Sequence, residues 1–580
     1  MTLRPLVLTL AALALAAAAP ARAQAPDADL APELQACVDA PEDEAEAETG
    51  LVTCSRALGA AENDLDRAGV NVKIAYLWLA LGDTGAAISA VDKVAELAPE
   101  GEAQIFQADV RYRAGLYDEA LAMAEAGLRD RPGDPDLERL RLLSLAADGA
   151  DEQARPGLER LYRKDPSDLE VAAALAGAYG VLGEDRRMYR VLDAALKQAP
   201  DDPTLRYLRG AARIRDQDWA EAAADMDIAL ASFPNDGGLS LRAAARAYSG
   251  DREGALSDLS AIQDPRSIPT LTALYAVRAA SAVGDYARAL DLAGGAVEGA
   301  SAPEMANALV HRGEVRVLAG LFTDAQADFE KAAVLEPQNA RAWAGLGRVL
   351  LDSHPAQAAV YYGRASVLAP QVPEFQAGAA EAAYRGGDYE TASAGYDRLI
   401  RILPGDYSLH AARAQVFMAQ GRYKEGLASS TEAVRLAPDD EETLLGHVEA
   451  LAVAGDSPAA LALLDRLAAN GSESPTSRYL AALILRNQGE YERALREAEA
   501  GLVLAPDDPA LIEEKGTIYY LLDDPLSAKE WLDRAVALDP GSADALYLRG
   551  LVRAELGDAE GGAADQAAAV AQDPSLAEEL

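Results

Sequence analysis

Residues 203–236 of this chain read PTLRYLRGAARIRDQDWAEAAADMDIALASFPND, and residues 542–575 read SADALYLRGLVRAELGDAEGGAADQAAAVAQDPS. Each stretch is 34 residues long, and the order of features is the same in both. A small residue, Gly210 or Gly550, precedes a polar turn, and alanine-rich sequence then leads to a closing proline. Self-similarity at a fixed period of this length is typical of repeat architectures.

Prolines carry the same period along the chain. They recur in three runs whose steps are all 34 residues: Pro132, Pro166, Pro200 and Pro234; Pro370, Pro404 and Pro438; and Pro506, Pro540 and Pro574. Between them, small and apolar residues at i, i+3 and i+4 predict two antiparallel helices in each unit. Because one unit cannot bury its own apolar face, we expect the units to stack into a continuous core.

The pattern resembles the tetratricopeptide repeat family over essentially the whole chain after its N-terminus. The resemblance implies an all-α fold, a right-handed superhelical solenoid whose first helices line a concave groove for peptides or partner proteins. We count about fifteen units between Val70 and Pro574. The expected segments are a degenerate helical cap (26–67), a first part of the array (68–300), a second part (301–576) and a C-terminal tail (577–580).

The first 25 residues have the features of a cleaved signal peptide: Arg4, an apolar run from Leu6 to Ala19, and small-x-small cleavage sites that end at Ala23 or Ala25. We therefore expect a periplasmic or secreted protein, with no direct membrane insertion. Two cysteines, Cys37 and Cys54, follow this segment, and in an oxidising compartment they predict one disulfide that staples the cap.

Composition argues against several classes of function. The formal net charge is −41, which should repel phosphate backbones and anionic lipids, so nucleic acid is not an expected partner. The motifs HExxH, GxSxG and GxxxxGK[ST] are absent from the sequence, as are Cys/His clusters at metal-ligand spacing. We therefore predict a protein that is not an enzyme and has no cofactor or metal. The tryptophans Trp78, Trp219, Trp343 and Trp531 fall at packing positions of the repeat.

Four units carry an arginine before the small residue of the first helix and an aspartate sixteen residues later. The two residues mostly occur together, which predicts a structural ion pair between the helices of a unit. The expected pairs are Arg209 with Asp225, Arg242 with Asp258, Arg312 with Asp328, and Arg549 with Asp565.

A second arginine follows four residues after the first in the same units: Arg213, Arg246, Arg316 and Arg553. The sequence offers no matched partner for these four, so they are the candidates for contact with a ligand in the groove. First helices carry roughly as many basic as acidic residues. The groove should therefore be less negative than the rest of the surface and favour acidic or extended neutral partners.

The function predicted from the sequence is a scaffold that binds partner proteins or extended peptides in the bacterial envelope. Envelope assembly, secretion and surface-polysaccharide machinery are the settings that the family resemblance suggests. Two alternatives stay open at this point. The array is a glycan-binding or recognition subunit of an envelope enzyme complex, which requires exposed aromatic rings, or it is a passive spacer, which requires no ligand.

Overall fold

The computed structural model describes residues 32–43, 45–98 and 102–578. The predicted signal peptide therefore lies outside the described residues, as do the first residues of the cap and the last two of the C-terminal tail. The described residues form 32 α-helices and two short 3-10 segments, Lys93–Glu96 and Pro574–Glu578, and they contain no β-strand. The all-α fold class predicted from the sequence is confirmed.

The described residues divide into two compact units, one that ends at Pro337 and one that begins at Gln338. The expected subdivision at residue 300 differs from this boundary by one helix pair, because the helices of residues 305–335 pack with those before them. In the first unit the helices are α1 Pro32–Val38, α2 Ala47–Ala60, α3 Asp64–Ala80, α4 Thr84–Asp92, α5 Ala103–Arg113, α6 Tyr117–Asp130, α7 Pro135–Ala147, α8 Asp151–Lys164, α9 Leu169–Val181, α10 Asp185–Gln198, α11 Pro203–Asp216, α12 Trp219–Ser232, α13 Asp236–Ser249, α14 Arg252–Ala261, α15 Thr270–Ala282, α16 Tyr286–Gly299, α17 Met305–Leu318 and α18 Phe322–Leu335.

The second unit continues with the same helix-turn-helix pairs. Its helices are α19 Ala340–Leu350, α20 Pro355–Leu368, α21 Pro373–Arg385, α22 Tyr389–Ile402, α23 Tyr407–Ala419, α24 Tyr423–Leu436, α25 Glu441–Val453, α26 Ser457–Ala469, α27 Pro475–Asn487, α28 Tyr491–Leu504, α29 Pro509–Leu521, α30 Pro525–Leu538, α31 Ala543–Glu555 and α32 Ala559–Gln572. After the α1–α2 pair, the described residues thus contain fifteen helix pairs.

The helix ends follow from local sequence. At the start of α11 the Asp202 side chain accepts a hydrogen bond from the Leu205 backbone N–H at 2.9 Å, and Pro203 occupies the first helical position, where no donor is lost. Between the helices of each regular pair except α19–α20, the chain takes a left-handed residue. This is a glycine in most pairs, such as Gly320 with φ 75°, but Gln217 fills the position with φ 67°.

Small residues let the paired helices approach closely. A Cβ atom added at Gly313 would lie 2.8 Å from the Phe329 ring, and one at Gly210 would lie 3.1 Å from Met226. The core inside each unit is correspondingly built from alanine and leucine that are fully buried. This is why alanine dominates the composition.

The N-terminal cap is the α1–α2 pair. Cys37 of α1 and Cys54 of α2 are both fully buried and form a disulfide across the pair, with a Cα–Cα distance of 4.7 Å. They belong to a cluster with Leu34 and with Leu77 of α3, so the disulfide lies where the cap packs on the first regular pair. A terminal repeat lacks one neighbour, and a covalent link offsets part of that loss.

Candidate functional site

The four predicted arginine–aspartate pairs each lie between the two helices of one pair. In α11–α12 the Arg209 guanidinium donates to both carboxylate oxygens of Asp225, from Nε at 2.8 Å and from Nη2 at 2.8 Å. The Asp225 side chain is completely buried, while Arg209 keeps 14% of its side-chain surface exposed. The arginine thus reaches inward from the rim of the pair to neutralise a buried carboxylate.

The other three pairs have the same bidentate geometry. Their closest contacts are Arg242–Asp258 at 2.7 Å, Arg312–Asp328 at 2.6 Å and Arg549–Asp565 at 2.7 Å. Two parallel charge-assisted hydrogen bonds fix the planar guanidinium, which a lysine could not reproduce.

The second arginines have a partner that the sequence analysis did not find. Each donates through Nη1 to the same aspartate as the first arginine: Arg213 to Asp225 at 2.6 Å, Arg246 to Asp258 at 2.9 Å, Arg316 to Asp328 at 2.5 Å and Arg553 to Asp565 at 3.0 Å. The expectation of unpartnered arginines is therefore wrong. The reason is geometric: a carboxylate oxygen can accept more than one hydrogen bond, and the second arginine lies one helical turn away on the same face.

The Asp225 carboxylate also accepts from Arg206 at 2.7 Å, so three guanidinium groups surround it. Burial opposes its ionisation, but the hydrogen bonds from Arg209 and Arg206 outweigh burial and lower the pKa of Asp225. The pKa of Asp565 is also lowered, because the bonds from Arg549 and Arg553 exceed the cost of burial. These groups are consequently structural anions, bound within the repeat.

The first arginines make a further contact that sequence reasoning missed. Arg209 also binds Asp193 of the preceding second helix, α10, at 2.9 Å, and Arg242 binds Asp227 of α12 at 3.1 Å. In the second unit, Arg549 approaches Asp533 at 3.5 Å. These acids precede their arginines by fifteen or sixteen residues, and that spacing was the available signal. The same side chain therefore joins two consecutive repeats.

Tryptophan side chains are half-buried and engaged by neighbours. The Arg364 guanidinium lies over the Trp343 ring at 3.8 Å, and the Lys515 ammonium over the Trp531 ring at 4.1 Å. Trp219 packs against Tyr248 with ring centroids 4.7 Å apart. These cation–π and ring contacts use the aromatic faces that sugar stacking would need.

The second unit contains an open cavity of about 710 Å³. It lies among three consecutive first helices, α21, α23 and α25, together with the second helix α24. We call it the α25 cavity. Its walls combine small apolar side chains, two tyrosines, Tyr384 and Tyr407, and polar groups of α25. None of the four second arginines lines it, so the structure does not bring the predicted ligand-contact residues to this place.

The small residues account for the open volume. A Cβ atom added at Gly446 of α25 would meet nothing within 4 Å, and Ala412 and Ala450 leave the space beside it unfilled. The cavity could not be predicted from the sequence, because its volume depends on small side chains that face one another from different repeats.

The polar groups of the α25 cavity differ in whether a neighbouring group binds them. Asp440 caps α25 by accepting from the Thr443 backbone N–H at 2.9 Å, and the His447 ring nitrogen Nδ1 lies 2.8 Å from the Ser430 hydroxyl. Within the described part of the chain, no hydrogen bond or ion pair engages the carboxylates of Glu442 and Glu449. Burial lowers the pKa of His447, so the imidazole is neutral at pH 7.

Among the described residues, no group of three or more His, Cys, Asp or Glu side chains is arranged to hold a metal ion. In the same residues, every helix is too short or too polar to cross a lipid bilayer.

Comparison with curated proteins finds two partial relatives. One is "TPR repeat-containing thioredoxin TTL4" of Arabidopsis thaliana, 31% identical over 26% of this chain and 23% of the relative. The other is "Cellulose synthase operon protein C" of Xanthomonas axonopodis pv. citri (strain 306), 26% identical over 80% of this chain and 29% of the relative. The chain thus spans less than a third of the length of either relative.

Solved structures similar to the chain include the Cut9–Hcn1 hetero-tetramer of the APC/C, with 14% identity over 80% of this chain and 98% of that chain and a TM-score of 0.38. A tetratricopeptide repeat protein from Parabacteroides merdae ATCC 43184 covers 43% of this chain and 98% of its own, with 14% identity and a TM-score of 0.37.

A sequence profile described as "Tetratricopeptide repeat" matches residues 106–169, 190–237, 317–373, 378–441, 445–509 and 514–577, which together make up more than half of the chain. The helix pairs of the structure, and the left-handed turn residues found in nearly all of them, agree with that match. The chain therefore belongs to the tetratricopeptide repeat family.

Proposed function

We propose that this protein is a non-catalytic scaffold of the bacterial envelope that holds partner proteins or extended peptides against its first helices. The observation that carries the proposal is the α25 cavity, because it is the place where three consecutive first helices leave a volume that side chains could fill and do not. A cavity of this size, with a few polar groups among apolar walls, suits the anchoring side chain of a bound segment.

The setting in the envelope rests on two supports. The first residues have the composition of a signal peptide, which favours a periplasmic or secreted protein. The relative that covers most of this chain is named for a cellulose synthase operon, which supports a role in envelope assembly, secretion or surface-polysaccharide machinery.

The second arginines are a weaker place to test partner binding. The buried aspartates already hold Arg213, Arg246, Arg316 and Arg553, so a partner carboxylate would have to compete with an internal one. Changing them to glutamate would also place a second anion beside a buried carboxylate and disturb the repeat itself. A contact between these arginines and a ligand stays a prediction.

A neutral, bulky substitution inside the cavity is a cleaner test. Gly446→Trp directs its side chain into the open volume, since its Cβ meets no atom within 4 Å. Gly363→Trp is the matched control, because Gly363 of α20 is also a helical glycine with open space at its Cβ and does not line the cavity.

The experiment compares the protein without residues 1–25 and these two variants in affinity capture from an envelope extract, read by quantitative mass spectrometry. We expect defined proteins to be captured by the wild type and by Gly363→Trp and to be lost with Gly446→Trp. If all three capture nothing beyond background, the spacer alternative replaces the scaffold. Retention of polysaccharide instead of protein would favour the glycan-binding alternative.

A further inference from the structure

The α25 cavity has a charge that no residue of its lining balances. Glu442 and Glu449 are seven residues apart, so they lie on one face of α25, and both line the cavity. The lining contains no lysine or arginine, and His447 is neutral at pH 7. In four other helix pairs, by contrast, arginine binds the aspartate between the helices, as it does Asp225.

The surroundings disfavour an unpaired negative charge in this cavity. Although water reaches the Glu449 carboxylate, the protein around it raises its pKa, because partial burial penalises the charged form. Burial also raises the pKa of the Tyr384 phenol across the cavity, with Tyr389, Glu381 and Glu449 adding to the effect. A cation placed here would therefore relieve an existing electrostatic cost.

The aromatic and apolar walls specify what kind of cation fits. Tyr384 and Tyr407 contribute aromatic side chains to the lining, and Ala412, Met418 and Val453 contribute apolar surface. A lysine or arginine side chain presents a long methylene stem and a charged head, which suits such a wall. The same chain already places Lys515 and Arg364 over tryptophan rings in this manner.

From these features we propose that the α25 cavity takes a lysine or arginine side chain of an extended partner segment, with Glu442 and Glu449 as the anionic recognition groups. This rests on the proposed scaffold function and names the chemistry of its partner. It reverses, for this cavity, the acidic or neutral partner expected from the average charge of the first helices. That average counts arginines that the structure ties to aspartates, so they do not contribute a free positive surface.

The test uses three fluorescent, end-blocked peptides of equal length that alternate alanine with lysine, glutamine or glutamate. Fluorescence anisotropy at about 0.15 M salt reports their affinity for the protein. We expect the lysine peptide to bind at least about tenfold more tightly than the glutamine peptide, and the glutamate peptide not to bind.

Because the protein carries a net charge of −41, any cationic peptide is attracted to it, and a control for the overall field is required. The cavity variant is Glu442→Gln/Glu449→Gln. The control is Glu530→Gln/Glu555→Gln, which removes the same charge from two exposed residues that do not line the cavity. We expect the cavity variant to weaken lysine-peptide binding about tenfold and the control to weaken it less than about twofold.

Equal weakening by both variants would mean that the peptide senses the overall field alone, and the proposal would be wrong. It would also be overturned if the glutamine peptide bound as well as the lysine peptide. Thermal melting of the cavity variant should match the wild type, because no internal partner is lost. The protein could still capture envelope partners, and lose them with Gly446→Trp, while the lysine peptide does not bind. That result would support the scaffold function and reject a lysine or arginine side chain as the ligand of the cavity.

Discussion

The helix pairs α11–α12 and α25–α26 share one repeat frame and use it in opposite ways. Arg209 and Asp225 in the first pair hold the positions of His447 and Leu463 in the second. In the first pair, the charged side chains bind one another inside the repeat, where three arginines contact one buried carboxylate. In the second, Leu463 packs in an apolar cluster, and no residue that the structure describes binds the carboxylates of Glu442 and Glu449. Under the proposed function, a first helix can present its charge to a ligand where the second helix does not bind that charge.

A third solution occurs in α19–α20. There Tyr362 stands sixteen residues after Leu346, at the position of the aspartate, and its ring lies between two glycines. A Cβ atom added at Gly347 or at Gly378 would come within 2.5 Å of that ring. The glycines of α19 and α21 leave room for this aromatic ring. In α11–α12 the same position holds an aspartate, and arginine neutralises its charge.

The largest effect that separates the two regions should come from Asp225→Asn. This change leaves three arginines around a neutral amide, and breaking a buried ion pair on one side costs about 3–5 kcal/mol. Glu449→Gln is the matched change in the α25 cavity, and it should alter stability by less than about 0.5 kcal/mol because it breaks no internal bond. Hydrogen exchange of α12 and of α25, followed by mass spectrometry, measures both. Equal exchange in α12 of the wild type and Asp225→Asn would contradict the structural role of the cluster.

Transplanting the ion pair into α25–α26 would sharpen the comparison. Leu463→Asp alone buries a charge without a partner and should destabilise that pair by about 2–3 kcal/mol. Adding His447→Arg at the matching position should recover about 1 kcal/mol of the loss. Urea denaturation of the two single variants and the double variant gives the coupling energy. Additive effects would show that the repeat frame does not by itself bring positions sixteen residues apart into contact.

The aromatic solution can be tested at Gly378. Gly378→Ala places a methyl group against the Tyr362 ring and should lower stability by about 1–2 kcal/mol through overpacking. Gly363→Ala is the control. Gly363 lies on α20, the helix that carries Tyr362, and a methyl group added there meets open space. It should be neutral or stabilise by about 0.5 kcal/mol, since alanine is the better helix former. Thermal melting of the two variants distinguishes packing from helix propensity.

The smallest effect is the response to acid. The folded pKa of Asp225 is lowered, so its contribution to stability is full above the ordinary aspartate pKa of about 3.9 and is lost as pH falls below it. The destabilisation by Asp225→Asn should therefore shrink as pH drops from about 5 towards 3. The folded pKa of Glu449 is raised, so its protonation relieves a cost, and wild type and Glu449→Gln should converge as pH falls. Denaturation of each variant between these pH values checks both signs.

Much of the fold could be predicted from residue spacing, because the period of the prolines and small residues sets the helix pairs and their ends. The arginine–aspartate pairs were also expected, since the two residues occur in the same units. The role of Arg213 was not, although its spacing of twelve residues to Asp225 recurs in the same four units, because each aspartate was already assigned to the first arginine. The α25 cavity could not be predicted for a different reason: its volume depends on Ala412 of α23 facing Gly446 and Ala450 of α25, and small residues on two helices give no signal in one sequence.

Arginines shared between two helix pairs limit which segments of such an array can be exchanged by recombination. Arg413 binds Ser429 of its own pair at 3.1 Å and Asp397 of the preceding pair at 2.8 Å, and Arg549 is shared in the same way between Asp565 and Asp533. A repeat copied into another place in the array would carry the arginine with it but leave one of the acids behind. The transferable module is therefore offset from the sequence repeat, and it runs from the second helix of one pair through both helices of the next.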